Sequence, residues 1–305
     1  MHFYPNNVDE FKEISVCIDK YFFSQREKRD YLSKGSPIIT QGSCFAVNFA
    51  KALIKEGYPT AHLFVNEWIN STHANAIFFN YINTSADEEY VPVFSNSLFE
   101  RQVIDFLNNS LEKNHRRDFI EVVRACGIFV LTIGVAPLWF DIHRQQYCLS
   151  PEKNHLHNFQ MKTTGVEANV NSISFIVSQI RKINPQIEIF LTLSPAPLNA
   201  TNEYPSIFEA DCVSKSTLRL AIDQIVTQNP EISYWPSFEI VRWLGSHLQP
   251  VYGSDDNHPR HVSNWLVDKI VAKFVDLNGG SFERNTLNPK LLHEIAQPFQ
   301  LVRNF

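Results

Sequence analysis

The chain has 305 residues, of which 44% are hydrophobic and 19% charged, and its net charge at pH 7 is -5. This composition is typical of a globular protein of one or two domains with a full core. Basic residues form no block beyond short pairs such as Arg116-Arg117, which excludes nucleic acid as an expected partner. The first ten residues lack the apolar core of a signal peptide, and the longest uncharged run, 127–140, is too short to cross a bilayer. We therefore expect a soluble, cytoplasmic protein without a membrane span.

Cysteine usage and nucleotide-binding motifs give no sign of a cofactor. The five cysteines are widely spaced and form no C-x-x-C, which favours a reduced compartment over a disulfide framework or a structural zinc site. His155 and His157 are typical of a polar loop, since no carboxylate or thiolate stands at a tight metal-ligand spacing. Neither a G-x-G-x-x-G nor a Walker pattern is present. We expect no metal and no cofactor.

Strand and helix patterns alternate along most of the chain. Residues 1–35 are predicted to be an aromatic N-terminal extension that packs on a main domain, 36–276, and residues 277–305 a C-terminal extension with a short helix near 289–296. The main domain shows the following predicted strands, 38–40, 61–65, 128–133, 187–193 and 232–235, and helices, 44–56, 74–81, 166–183, 214–228, 238–244 and 262–275. A helical insertion at about 83–125 is predicted to hold a helical hairpin, and residues 141–164 are predicted to be irregular. The alternation predicts an α/β protein with a doubly wound parallel sheet and helices on both faces.

The first candidate site is the turn at Gly42-Ser43, between a buried strand and a helix. The turn would place the Ser43 hydroxyl at the carboxyl end of the strand and the Ser43 N–H at a helix N-terminus, where negative charge is favoured. Ser43 is therefore a candidate nucleophile and a candidate half of an oxyanion hole. The alternative is that its hydroxyl only caps the helix.

The second candidate site is the turn that holds Asp255 and His258, three residues apart and just before a helix. This spacing lets the carboxylate reach Nδ1 of the imidazole and leaves Nε2 available to take a proton. Asp256 is a competing partner, although its side chain is expected to point elsewhere. The alternative is an Asp-rich helix N-terminus with an exposed histidine. Because the carboxyl ends of parallel strands lie at one edge of a sheet, Ser43 and this turn can meet there as a Ser–His–Asp triad.

The motif Gly42-Ser43-Cys44-Phe45-Ala46 resembles the one that names the GSCFA family, which looks like a branch of the SGNH/GDSL-type hydrolases. Further blocks resemble that family in the same order, so that the resemblance covers roughly residues 36–275: 70–71, 131–134, 192–197, 214–216, 234–239 and 255–259. The resemblance implies a flavodoxin-like three-layer fold with a Ser43, Asp255 and His258 triad. The chain lacks the plain G-x-N-D block that supplies an oxyanion Asn in that superfamily. Asn70 is the first candidate for this donor and Asn154 the second.

Four other residues are weighed as parts of the site. Gly134, Trp139 and Lys215 are candidate substrate-binding residues, because Gly134 and Lys215 lie in family-like blocks and Trp139 could stack on a sugar ring. The alternatives are core packing for Trp139 and a surface position for Lys215. Cys44 could be a nucleophile at a helix N-terminus, but we expect it to point into the helix–sheet interface.

These features predict a serine acyl-ester hydrolase or O-acyltransferase that acts through an acyl-enzyme. The resemblance to SGNH enzymes implies a small-molecule or carbohydrate ester as partner, with O-acyl groups of carbohydrate, including acetyl, as the substrate class. The alternative is a non-catalytic carbohydrate-binding or scaffold protein on a degenerate SGNH fold, which the missing Asn block favours. An intact Ser, Asp and His set argues against that alternative.

Overall fold

The computed structural model describes residues 1, 3–32, 37–42, 44–64, 69–84, 89–94, 97–111 and 115–279. Its strands are β1 (Ile38–Gly42), β2 (Thr60–Phe64), β3 (Ile128–Ile133), β4 (Pro137–Asp141), β5 (Gln146–Cys148), β6 (Phe159–Thr163), β7 (Glu188–Leu193) and β8 (Ile232–Trp235). Five of them form a parallel sheet in the spatial order β2-β1-β3-β7-β8. Numbered within this sheet alone, the order is the 2-1-3-4-5 of flavodoxin-like doubly wound folds. The predicted fold class is confirmed.

Helices cover both faces of the parallel sheet. They are α1 (Ile14–Phe22), α2 (Cys44–Lys55), α3 (Thr72–Asn83), α4 (Leu98–Ser110), α5 (His115–Ala125), α6 (Val166–Ile183), α7 (Ile207–Gln228), α8 (Ser237–Leu244) and α9 (Asn264–Asn278). Helices α3 to α7 pack into one core, while α1, α2, α8 and α9 pack into the other. Successive strand residues alternate between the cores: Ile39 and Leu131 lie in the first, Ile38 and Val130 in the second. This explains why the central strands read as continuous apolar runs.

A small antiparallel sheet, β5-β4-β6, stands where the sequence predicted irregular chain over 141–164. Asp141 shapes the β4–β5 hairpin, because its Oδ1 accepts the backbone N–H groups of His143 and Arg144, each at 2.9 Å. Gln145 closes the turn with a φ of 51°. The turn contains neither Gly nor an Asn-Gly pair, so the usual hairpin signal is missing from the sequence.

The N-terminal segment packs on the second core. The Phe23 ring stacks on Trp235 with their centroids 4.6 Å apart, and Arg26 donates from Nη1 to the Tyr234 carbonyl at 3.0 Å. Helix α1 in this segment was not predicted. Two helices, α4 and α5, occupy the predicted insertion, and both pack against α3. The helix predicted near 289–296 lies outside the described residues. Within the described part of the chain, every helix is too short or too polar to cross a membrane.

Substitution of Phe274 in α9 tests which contacts stabilise the second core. Its fully buried ring meets Phe49, Phe190 and Trp235 at centroid distances of 5.5, 5.0 and 5.0 Å. We predict that Phe274→Ala lowers the free energy of unfolding by about 3–5 kcal/mol, because it leaves a large cavity among rigid rings. Urea denaturation measures the change. The control is Trp243→Ala, whose side chain is 60% exposed and should change stability by about 0.5 kcal/mol or less; equal losses in both variants would contradict this packing.

Candidate active site

The loop between α8 and α9 packs against the N-terminal end of α2. Cys44, the first residue of α2, lines a cavity of about 350 Å³ together with Asp255, Asp256 and His261. Cys44 is partly buried, and the expectation that its side chain points into the helix–sheet interface stays a prediction. Ser43, the residue before it, lies outside the described residues.

Asp255 and His258 make other hydrogen bonds than the one expected between them. Asp255 Oδ2 accepts the backbone N–H of Asn264 at 2.7 Å, in the first turn of α9. Nδ1 of His258 accepts the N–H of Arg260 at 3.4 Å. The Asp255 carboxylate therefore pairs with one of the N–H groups at the N-terminus of α9 that have no partner within the helix. This N–H group competes with the imidazole for the carboxylate.

A different acid–imidazole pair forms in the same loop. Nδ1 of His261 donates to Asp256 Oδ2 at 2.5 Å, and Asp256 Oδ1 accepts the backbone N–H of His258 at 2.9 Å. These two hydrogen bonds, the one from His261 first, hold the pKa of Asp256 below its ordinary value. In the neutral imidazole with Nδ1 as donor, Nε2 is the acceptor. The His258 and His261 rings stack with centroids 4.0 Å apart, and His261 lines the cavity.

Sequence reasoning missed His261. The available signal was its position three residues after His258 and five after Asp256, within the same turn. The D-x-x-H pattern points only to Asp255 and His258.

The loop after β7 is tied to the loop after α8. The Tyr252 hydroxyl donates to the Pro195 carbonyl at 2.9 Å, and Arg260 donates from Nη1 to the Pro197 carbonyl at 3.4 Å. Burial raises the pKa of Tyr252 to about 12, so its phenol stays a hydrogen-bond donor at neutral pH. The family-like block at 192–197 thus continues the wall of the candidate site from the histidine loop across the end of β7.

The segment before α3 meets the end of β3 where Asn70 packs on Gly134. A Cβ on Gly134 would overlap Asn70 Nδ2 and lie 2.9 Å from Asn70 Cγ, so this approach requires glycine. Asn70 is 3% exposed, and its Oδ1 has no hydrogen-bond partner among the described residues. The next residues along each segment, Ser71 and Val135, form a parallel bridge. We call Asn70 and Gly134 with this bridge the Asn70–Gly134 corner.

The end of β1 is tied to the same corner. Gln41, fully buried, donates from Nε2 to Asn75 Oδ1, and Asn75 in turn donates from Nδ2 to the Ser71 carbonyl at 2.8 Å. Gly42, the last residue of β1, has a φ of 143°, and a Cβ there would lie 2.8 Å from Thr132 Cβ. Only glycine therefore fits at position 42, where β1 ends.

Lys215 is buried, so the expected surface position is wrong. Its side chain is 2% exposed, and Nζ donates to the Gly134 carbonyl at 2.8 Å. The neighbouring Ser214 Oγ accepts the N–H of Ala136 at 3.1 Å. The Ser-Lys pair on α7 thereby fixes the turn that follows β3.

Two further candidates, Asn154 and Trp139, lie in the part of the chain that forms the antiparallel sheet. Asn154 is exposed on a 3₁₀ segment, Lys153–Asn158, that precedes β6. Half-buried Trp139 lines a second cavity of about 280 Å³. His155 and His157 are exposed, with ring centroids 6.1 Å apart. Within the described ranges, no group of three or more His, Cys, Asp or Glu side chains is placed to hold a metal ion.

The sequence model of the GSCFA family matches residues 37–274, which include the turn after β1 and the histidine loop. The chain belongs to the GSCFA family. Among curated proteins, none matches this GSCFA protein.

Three solved structures resemble the GSCFA chain. A carbohydrate esterase family 2 enzyme with a carbohydrate-binding domain, from Corynascus thermopiles (Myceliophthora fergusii), is 14% identical with a TM-score of 0.39, covering 79% of this chain and 65% of its own. A carbohydrate esterase family 3 protein from Talaromyces cellulolyticus is 9% identical with a TM-score of 0.35, covering 86% and 99%. A protein described as a GDSL-like lipase, from Parabacteroides merdae, is 13% identical with a TM-score of 0.40, covering 83% and 98%. The chain thus spans just under two thirds of the first of these, and the fold assignment rests on the strand order given above.

The Asn70–Gly134 corner can be tested with two glycine substitutions. We predict that Gly134→Ala lowers the free energy of unfolding by about 1–3 kcal/mol, because the added methyl must displace the Asn70 carboxamide. Gly165→Ala is the matched control, since its Cβ would meet no atom within 4 Å and its φ of -69° suits alanine. Chemical denaturation of both variants measures the difference. A Gly134→Ala protein as stable as Gly165→Ala would contradict the packing.

Proposed function

We propose that this GSCFA protein is a serine ester hydrolase of the SGNH type, with O-acyl groups of carbohydrate as its substrate class. The observation that carries the proposal is the shared cavity: the residue next to Ser43 and the Asp255, Asp256 and His261 side chains line the same space. A nucleophile at the end of β1 and a base from the last loop need such a meeting point. The D-x-x-H spacing and the SGNH resemblance support the assignment.

In the proposed reaction, His258 Nε2 takes the proton of the Ser43 hydroxyl while Ser43 Oγ attacks the ester carbonyl. The bond from Oγ to the acyl carbon forms, the ester C–O bond breaks, and His258 returns the proton to the departing alcohol. Water, or a sugar hydroxyl in an acyltransferase, then attacks the acyl-enzyme with the same base. The Asp255 carboxylate orients the imidazole and stabilises its protonated form.

This assignment requires two changes at His258 in the substrate complex: Nδ1 exchanges the Arg260 N–H for the Asp255 carboxylate, and the ring proton moves from Nε2 to Nδ1, so that Nε2 becomes the acceptor. Catalytic hydrogen bonds often tighten only when substrate is bound. The stacked neighbour, His261, is the second candidate base, because its hydrogen bond to Asp256 already leaves Nε2 as an acceptor. Substitution of His258 and substitution of His261 therefore have different expected effects on activity.

The oxyanion hole is proposed to consist of the Ser43 N–H and the Asn70 carboxamide. Asn70 is buried, fixed by its contact with Gly134, and close in the fold to the end of β1 through Gln41 and Asn75. The ammonium of Lys215, 2.8 Å from the Gly134 carbonyl, adds positive charge at this corner. Fixed donors and a buried cation stabilise developing negative charge without reorganising. Asn154 has neither burial nor such contacts.

The position of Cys44 favours one second candidate, a cysteine nucleophile on the same fold. Cys44 stands at the N-terminus of α2 and shares its cavity with the Asp256–His261 pair. A helix N-terminus and a nearby imidazole both stabilise a thiolate. The Ser43 proposal keeps priority because the G-S-C-F-A block aligns Ser43, not Cys44, with the SGNH nucleophile.

Single substitutions separate these assignments. We predict that Ser43→Ala and His258→Ala each lower kcat on short-chain nitrophenyl esters on the order of 10⁴-fold, whereas Cys44→Ala and His261→Ala retain activity within about tenfold. Thermal unfolding of each variant serves as the control for folding. Loss with Cys44→Ala and His261→Ala, but not with Ser43→Ala, would transfer the reaction to the cysteine. Equal rates in the wild type and in all four variants would instead support a non-catalytic binding protein.

The two candidate oxyanion donors are tested against each other. Asn70→Ala should lower kcat about 10²–10³-fold with a small change in KM, because the donor acts on charge that develops in the transition state. Asn154→Ala, at an exposed position, should leave both constants unchanged. Steady-state kinetics on one ester measures both variants. The reverse pattern would remove Asn70 from the site.

A further inference from the structure

A second cavity, of about 280 Å³, lies beyond the carboxyl ends of β3 and β7 and is not used by the chemistry above. Its apolar wall comes from the antiparallel sheet, the start of α4 and the segment after β7, with the following side chains: Phe99, Leu138, Trp139, Leu149, Met161 and Leu198. An apolar cavity of this kind binds apolar groups well and water poorly. We call it the acyl cavity.

The acyl cavity adjoins the proposed reaction centre on two sides. Ser71 and Val135 on its wall are the residues that directly follow Asn70 and Gly134 and that bridge to each other. Leu198 directly follows Pro197, whose carbonyl accepts a hydrogen bond from Arg260 of the histidine loop. The cavity is therefore continuous with the Asn70–Gly134 corner and with the segment tied to the histidine loop. If the carbonyl oxygen of a bound ester faced Asn70, its acyl chain would lie next to this cavity.

The size of the acyl cavity selects among acyl groups. An engineered apolar cavity of about 150 Å³ holds benzene, so about 280 Å³ accommodates roughly six to ten carbon atoms. An acetyl group would leave most of it unfilled. We propose that the acyl cavity binds the acyl part of the substrate, and that this GSCFA protein prefers medium-chain or aromatic acyl esters over acetyl esters. The inference rests on the proposed ester hydrolysis and specifies its substrate.

The test is a chain-length series of nitrophenyl esters, from acetate to decanoate. In the wild type, kcat/KM should rise by up to about fourfold per methylene, the equivalent of about 0.8 kcal/mol, until the cavity is filled near octanoate. Ala200→Trp adds an indole at an exposed position on the cavity wall, and should lower the octanoate-to-acetate ratio of kcat/KM at least tenfold. Leu220→Trp is the matched control, since Leu220 is 59% exposed on α7 and is not part of the cavity wall. It should leave the ratio unchanged.

Two results would overturn the inference: a wild-type profile that is flat or falls from acetate, or an unchanged ratio in Ala200→Trp. Failure of every ester in the series would instead sink the proposed ester hydrolysis. Calorimetric titration with sodium octanoate, and with sodium acetate as reference, then decides the cavity by itself. Octanoate binding that Ala200→Trp weakens at least tenfold would sustain an apolar acyl site, and absence of octanoate binding would refute it.

Discussion

The contact between the Asn70 carboxamide and Gly134 is the constraint on which the carboxyl edge of the sheet depends. It brings the segment after β2 against the end of β3 so closely that no side chain fits at position 134. The Ser71–Val135 bridge continues the contact outward, and Gln41 and Asn75 extend it to the end of β1. The ends of β1 and β3 and the start of α3 thus meet at one polar corner. In the proposed reaction, the Asn70 carboxamide of this corner would stabilise the negative charge that develops on the carbonyl oxygen.

Burying this many polar groups costs free energy, which points to a role beyond folding. Lysine is mostly found on the surface of proteins, whereas Lys215 is 2% exposed and donates from Nζ to the Gly134 carbonyl. Three buried side-chain oxygens near the ends of β1 and β3 have no hydrogen-bond partner among the described residues: Gln41 Oε1, Asn70 Oδ1 and Thr132 Oγ1. Such groups are rare in folded proteins and often belong to catalytic sites. If stability alone mattered, apolar side chains at this corner would cost less free energy to bury.

Much of the architecture was predictable because buried parallel strands and amphipathic helices leave strong local patterns. The apolar run of β3 and the 3.6-residue period of α6 fixed their type and nearly their limits, and the alternation of elements fixed the doubly wound sheet. Weak local signals explain the failures. The hairpin of β4 and β5 turns on the side chain of Asp141 instead of a glycine, and α1 is short.

The sequence pointed to the segments that form the candidate site, but it did not predict the contacts between them. The sequence pointed to Asn70, Gly134, Lys215 and the loop that holds Asp255 and His258, since each lies in a family-like block. It could not reveal that Lys215 is buried, because burial is decided by the approach of α7 to the turn after β3, more than 70 residues away in the chain. Nor could spacing alone decide between two acid–imidazole pairs in one turn, where Asn264 competes for Asp255.

The most direct test of the account is a crystal structure of the protein after reaction with a fluorophosphonate. The account predicts a phosphonyl group on Ser43 Oγ, with one phosphonyl oxygen about 2.7–3.1 Å from Asn70 Nδ2 and the Ser43 N–H, and an imidazole of the histidine loop within hydrogen-bond reach. A label on Cys44, or a phosphonyl oxygen that points away from the Asn70–Gly134 corner, would contradict it.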